Sequence, residues 1–236
     1  MIAFFSLAVV QLFDKSLQKM LWISLMASAV IFLIFWLLVG YTLLETELFS
    51  TGWFYGMFDW VFTKITNVFG GILIFVLTWF LFPSVVTLVI TFFLENVINA
   101  VEKKHYPNLP ATRQQNILEI GTITVKFMIL SIILNVLVIP LYLVFFFLGP
   151  LNLFIFYTLN GYLLGKEYFE LVACQRLEPK KANDLFKRYR SNVFRVGVIS
   201  AFLMTIPLIN MVAPIISVAA MVHLIQKYNN VNKLET

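Results

Sequence analysis

Charge is what this sequence has least of. Asp, Glu, Lys and Arg make up 12% of its 236 residues, against 61% hydrophobic, where a water-soluble domain carries about 25% charged residues. With a mean hydropathy of +0.90, that shortage excludes an ordinary soluble domain and reads as a polytopic membrane protein. The single cysteine, Cys174, excludes a disulfide framework and a cysteine-rich metal site. His105 and His223 are the only histidines, and neither a His-Glu-x-x-His motif nor a phosphate-cradling glycine loop occurs. The long apolar blocks hold no Asp or Glu, so the paired acids of an intramembrane hydrolase are missing. No catalytic residue, cofactor or metal is expected. Met1-Ile-Ala-Phe-Phe has no basic n-region and no small-residue cleavage site follows, so no signal peptide is expected.

The charges that are present set a topology. Of 17 Lys and Arg, 16 fall on one assigned side, which the positive-inside rule makes the cytoplasmic one. Anionic lipid and topology account for the pI of 9.3 without nucleic acid. Residues 1–19 read as an interfacial helix: 2–13 are apolar but too few to cross, and Asp14, Lys15 and Lys19 follow. Residues 20–44 form the first full span. An acidic, aromatic loop with Glu45, Glu47, Asp59, Trp53 and Trp60 suits the outer face. Residues 65–94 return inward as the second span, with Gly70-Gly71 at its outer end and a kink at Pro83. Residues 95–126 read as cytoplasmic helices. The first is broken at Tyr106-Pro107-Asn-Leu-Pro110 and the second begins at Thr112.

Two apolar blocks have an awkward length. Residues 127–165 count 39 without a formal charge and 196–226 count 31, each between basic flanks. About 20 residues make one crossing, so neither block suits one span or two. Both are read as re-entrant hairpins entering and leaving on the cytoplasmic side. Ile139-Pro140, Gly149-Pro150 and Asn152 mark the first tip; Pro207, Asn210 and Pro214 mark the second. Backbone at a broken tip must face protein or water rather than lipid. Paired Pro/Gly-interrupted segments point to a solute site in transporters, but kinks also serve tight packing. Both readings stay open for Asn152 and Asn210, while Asn135 and Asn160 are expected to bond between helices or to cap a broken one. Between the hairpins, 180–195 carries Ala182, Leu185, Phe186, Tyr189 and Val193 at helical spacing and reads as an amphipathic surface helix. The expected fold is an all-α membrane protein of two full spans, two half-penetrating hairpins and interfacial helices.

The stretch Phe202-Leu-Met-Thr-Ile-Pro-Leu-Ile-Asn-Met-Val-Ala-Pro-Ile-Ile-Ser-Val-Ala-Ala-Met-Val resembles the CysZ family of bacterial inner-membrane sulfate permeases. That family groups with the etoposide-induced-protein-like membrane domains. It shows a Phe-Thr-Met-Ile-Pro-Leu-Leu-Asn pattern here, then a second proline and small residues. The order of elements matches over nearly the whole chain. The resemblance implies sodium-independent sulfate uptake for cysteine synthesis by a homo-oligomer with a channel-like path. It also implies sulfate binding at a Gly-Leu-Arg-type turn, which here reads Lys15-Ser16-Leu17-Gln18-Lys19. Ser16 replaces the glycine and Gln18 the arginine, Lys19 can supply positive charge, and a helix N-terminus capped by Ser16 presents N–H groups to an anion. A second class, a non-transporting membrane scaffold or regulator of the same fold, stays open.

Overall fold

The computed structural model describes residues 2–45, 76, 78, 81–113 and 115–234. Among them every regular element is a helix: α1 (Ile2–Gln11), α2 (Lys15–Glu45), α3 (Leu81–Thr91), α4 (Leu94–His105), α5 (Ile117–Val144), α6 (Gly149–Ala173), α7 (Pro179–Thr205) and α8 (Ile209–Leu234). Three of them, over Lys15–Leu38, Ile117–Val144 and Ile209–Tyr228, are long and apolar enough to cross a bilayer. The pair α3 and α4, bent by 60° at Phe92-Phe93, makes up to a fourth. The aromatic loop after α2, Gly70-Gly71 and the first part of the expected second span lie outside the described residues.

The core is α8. Residues Ala213 to Gln226 are buried without interruption, enclosed by α1, α4, α6 and α7. A helix apolar on every face belongs in an interior, and Ala213, Ser217, Ala219 and Ala220 let its neighbours come close. The block that reads as half a hairpin is therefore also the axis of the molecule. Helices α2 and α5 have the opposite character: only 11% and 6% of their most apolar windows are buried. Their exposed Leu, Ile, Val and Phe side chains present the surface that a hydrocarbon solvent covers.

Helices α6 and α7 pack antiparallel through a seam of glycines. A Cβ placed on Gly197 would lie 1.8 Å from the Gly161 carbonyl oxygen and 2.6 Å from the Gly165 nitrogen. The three glycines thus let two backbones touch, the small-xxx-small arrangement of membrane helices. Tyr157 meets Thr205 at 3.2 Å further along the same seam.

Several boundaries differ from the sequence reading. Helix α5 starts at Ile117, not Thr112, because Asn116 is extended and its side chain accepts from the Leu118 N–H at 3.2 Å. It then runs unbroken through residue 126, joining the expected cytoplasmic helix to the first hairpin arm. Pro140 sits inside α5, and the turn falls later, at Phe145 to Leu148. Helix α7 likewise joins the amphipathic segment to the next arm, with one non-helical residue, Tyr189, at the kink. Tyr189 is stacked on Tyr228 there, with ring centroids 4.0 Å apart.

Candidate functional site

Since α6 and α7 run antiparallel, the two turns lie at one end of the bundle and the basic loops at the other. At the tip end both α6 and α8 begin. Pro150 occupies the first turn of α6, and Leu148 offers no side-chain cap. The second turn is closed by Leu208, a non-glycine residue at φ 66°, a left-handed conformation that costs a side chain about 1–2 kcal/mol. The turn is held by Asn210 N–H donating to the Ile206 carbonyl at 3.0 Å. The Thr87 hydroxyl of α3 lies 3.2 Å from the Asn210 carbonyl oxygen and 2.9 Å from that of Pro83. Asn152 and Asn210 stand in the first turns of α6 and α8, and each has a side-chain carbonyl oxygen shielded from solvent with no partner. Two helix N-termini, each with an unsatisfied amide beside it, thus occupy one end of the fold. Helix N-termini carry partial positive charge from free N–H groups and the aligned peptide dipoles.

Asn135 and Asn160 do not bond between helices. Each donates back to its own helix, to the Ser131 and Phe156 carbonyls at 2.8 and 2.9 Å. Pro214 lies buried inside α8 and Pro207 in the exposed turn.

The turn from Lys15 to Lys19 lies far from these tips. Leu17 is 2% exposed and packs in the core, while Lys15, Ser16, Gln18 and Lys19 are exposed. Ser16 is not the cap of α2. The Gln18 N–H donates to the Asp14 carbonyl at 2.9 Å, which makes Asp14 the capping residue, and its carboxylate is bound by Lys104 at 2.5 Å. A fixed carboxylate therefore already stands at this helix N-terminus. Beside it, His223 of α8 meets Gln11 and Tyr106 at 2.8 Å each. From Asn210 to His223 is about 20 Å along α8, at about 1.5 Å per residue. The structure does not bring the Ser16–Lys19 turn and the tip asparagines together.

Sequence reasoning missed the polar centre of the basic end. Glu102 is 3% exposed and accepts from Arg176 Nε at 2.8 Å, Arg176 Nη2 at 2.6 Å and Gln226 Nε2 at 2.9 Å. The signal was available: Leu94, Val97, Ile98 and Val101 set a helical apolar stripe, and Glu102 sits one turn beyond Ile98 on that face. Arg113 forms a forked pair with Glu119. Tyr106 has its phenol pushed up by burial. Among the described residues, no three His, Cys, Asp or Glu side chains are grouped so as to hold a metal ion.

Cys174, in the turn after α6, is 5% exposed, and burial, then the Glu170 charge, pushes its thiol up to about 11. At pH 7.5 only on the order of one thiol in 10³ is then ionised, and the thiolate is the reactive form. The native protein should stay unlabelled by a maleimide at pH 7.5 and react fully once denatured. Fast labelling of the folded protein would show that this turn opens.

No curated protein and no solved structure matches the chain. A family model, described as Sulfate transporter CysZ/Etoposide-induced protein 2.4, matches residues 4–214. That stretch takes in the first helix, both turns and Pro214, so this multi-pass membrane protein belongs to the Sulfate transporter CysZ/Etoposide-induced protein 2.4 family.

Proposed function

We propose that the protein is a bacterial inner-membrane permease for sulfate or a related oxyanion, with both termini cytoplasmic, conducting passively for sulfur assimilation. The family match over residues 4–214 carries this reading. In it, the α5–α6 and α7–α8 pairs are re-entrant, and the N-termini of α6 and α8 reach the membrane interior. Half-helix N-termini facing an anionic solute recur in transporters. The unpartnered atoms of Asn152 and Asn210 are carbonyl oxygens, which accept and do not donate, so the backbone N–H groups beside them are the ones that would face the anion. Gly149, Pro150 and Pro207 stand at the two turns, while Pro140 and Pro214 lie inside the α5 and α8 arms. Lys15, Ser16, Gln18 and Lys19 form an exposed capture rim at the cytoplasmic mouth, seated by Leu17. The dense packing around α8 favours a path between copies in a homo-oligomer. It also favours the alternative, a non-transporting scaffold of the same family.

Radiolabelled sulfate flux into proteoliposomes separates the two. Saturable uptake above empty vesicles is expected. Gln18→Arg should tighten sulfate binding roughly tenfold, since a hydrogen bond to a charged group contributes about 1.5–3 kcal/mol. No flux, and no binding of sulfate, selenate or sulfite, would leave the scaffold. The hairpins have their own test, for which the shielded Cys174 gives a low background. Cysteines introduced at Asn152 and Asn210 should resist a membrane-impermeant maleimide added from the periplasm. Strong labelling at both positions would mean full crossings.

A further inference from the structure

We propose that the seam between α5, α6 and α7 holds one anionic phospholipid, its acyl chain in an apolar groove and its phosphate at Arg190. The groove, a cavity of about 520 Å³, is walled by Leu134, Val138 and Leu141 of α5 and by Phe154, Ile155 and Leu159 of α6. A second recess of about 270 Å³ is lined by Phe186, Arg190 and Ser191. The two share Tyr162 and Phe194 as walls, so an apolar trough leads into a basic, hydroxyl-bearing pocket.

The direction fits an amphiphile. From Leu130 to Leu141 the groove follows α5 for about 17 Å, at about 1.5 Å per residue. It starts near the tip end and opens toward the basic end, as a lipid tail descends from its headgroup. Among the described residues the Arg190 side chain has no ion-pair or hydrogen-bond partner, and Lys187 and Arg195 stand exposed on the same helix. Basic side chains at a membrane surface attract anionic headgroups, and Arg suits phosphate because its fork matches two oxygens. Free phosphate would leave the trough unfilled. A second copy of this chain, at net charge +5, would bring a like-charged surface to Arg190. An anionic phospholipid satisfies both ends. This inference rests on membrane residence and not on sulfate transport.

The test is native mass spectrometry of the delipidated full chain, titrated with phosphatidylglycerol and phosphatidylcholine of identical acyl chains. At least fivefold preference for phosphatidylglycerol is expected. Arg190→Gln should bring the ratio near one while lipid is still retained, and Thr158→Trp, which fills the groove, should lower retention of both lipids. Leu134→Trp repeats the filling from the opposite wall should the first variant melt early. Equal retention of the two lipids by the unmodified protein would overturn the proposal, as would an unchanged ratio in Arg190→Gln. Displacement of the lipid by millimolar phosphate or sulfate would do so too, since the basic pocket would then be an inorganic anion site.

Discussion

Gly197→Ala should cost at least about 3 kcal/mol, the upper part of the usual range for overpacking, and should show as early melting and loss of a single peak in gel filtration. The reason is the identity of the atoms in the way. The new Cβ would stand 1.8 Å from the Gly161 carbonyl oxygen and 2.6 Å from the Gly165 nitrogen. Both are backbone atoms in the middle of a 25-residue helix, so no rotamer change relieves the clash and α6 as a whole must move away. Gly165→Ala should be next worst, since its Cβ meets the Val193 carbonyl oxygen at 2.7 Å. Gly161→Ala should be milder, because its nearest neighbour, at 2.5 Å, is a Val198 methyl. Gly121→Ala supplies the contrast: a Cβ there meets nothing within 4 Å, and alanine is the better helix former by about 1 kcal/mol. A Gly197→Ala protein that melts with the unmodified one would refute the close seam.

The parts of this fold legible in the sequence are those set by local chemistry. Pro107 and Pro110 follow the end of α4 at His105, and Ile206-Pro207 gives the turn between α7 and α8. The illegible parts depend on which apolar surface meets protein and which meets lipid. A lipid tail is as apolar as a leucine, so an apolar surface does not by itself say whether protein or lipid covers it, and of two apolar helices α5 is bare and α8 enclosed. Residue size does rank them: α8 carries Ala213, Ser217, Ala219 and Ala220 where α5 carries Ile132, Ile133, Val136 and Leu137. Asp14 and Ser16 are both good capping residues, and only the Gln18 hydrogen bond separates them. The apolar stripe of α4 marks Glu102 as inward-facing, but its partners Arg176 and Gln226 lie 74 and 124 positions away, beyond the reach of any local pattern.

Arg176→Met should destabilise the protein by about 3–5 kcal/mol, the usual cost of removing one partner from a buried ion pair. Glu102 has almost no contact with water, and Arg176 supplies two of its three hydrogen bonds. The same guanidinium also donates to the Pro110 carbonyl, so one side chain ties α4, the segment before α5 and the α6–α7 turn together. Gln226 brings α8 into the group. Losing Arg176 leaves a carboxylate with a single neutral donor in an apolar setting, whereas Glu102→Gln keeps a hydrogen-bonding group in place and should cost less. The double variant Glu102→Met with Arg176→Met removes both charges and should recover much of the loss, because apolar replacement of a buried pair is often neutral or favourable. Melting temperatures of Glu102→Met alone, Arg176→Met alone and the double variant close the cycle. A double variant no more stable than Arg176→Met alone would mean that the arginine acts through Pro110 and packing rather than through the carboxylate. Recovery in the double variant would show that Arg176 is needed chiefly to neutralise Glu102, with the α8 core able to close around an apolar pair in its place.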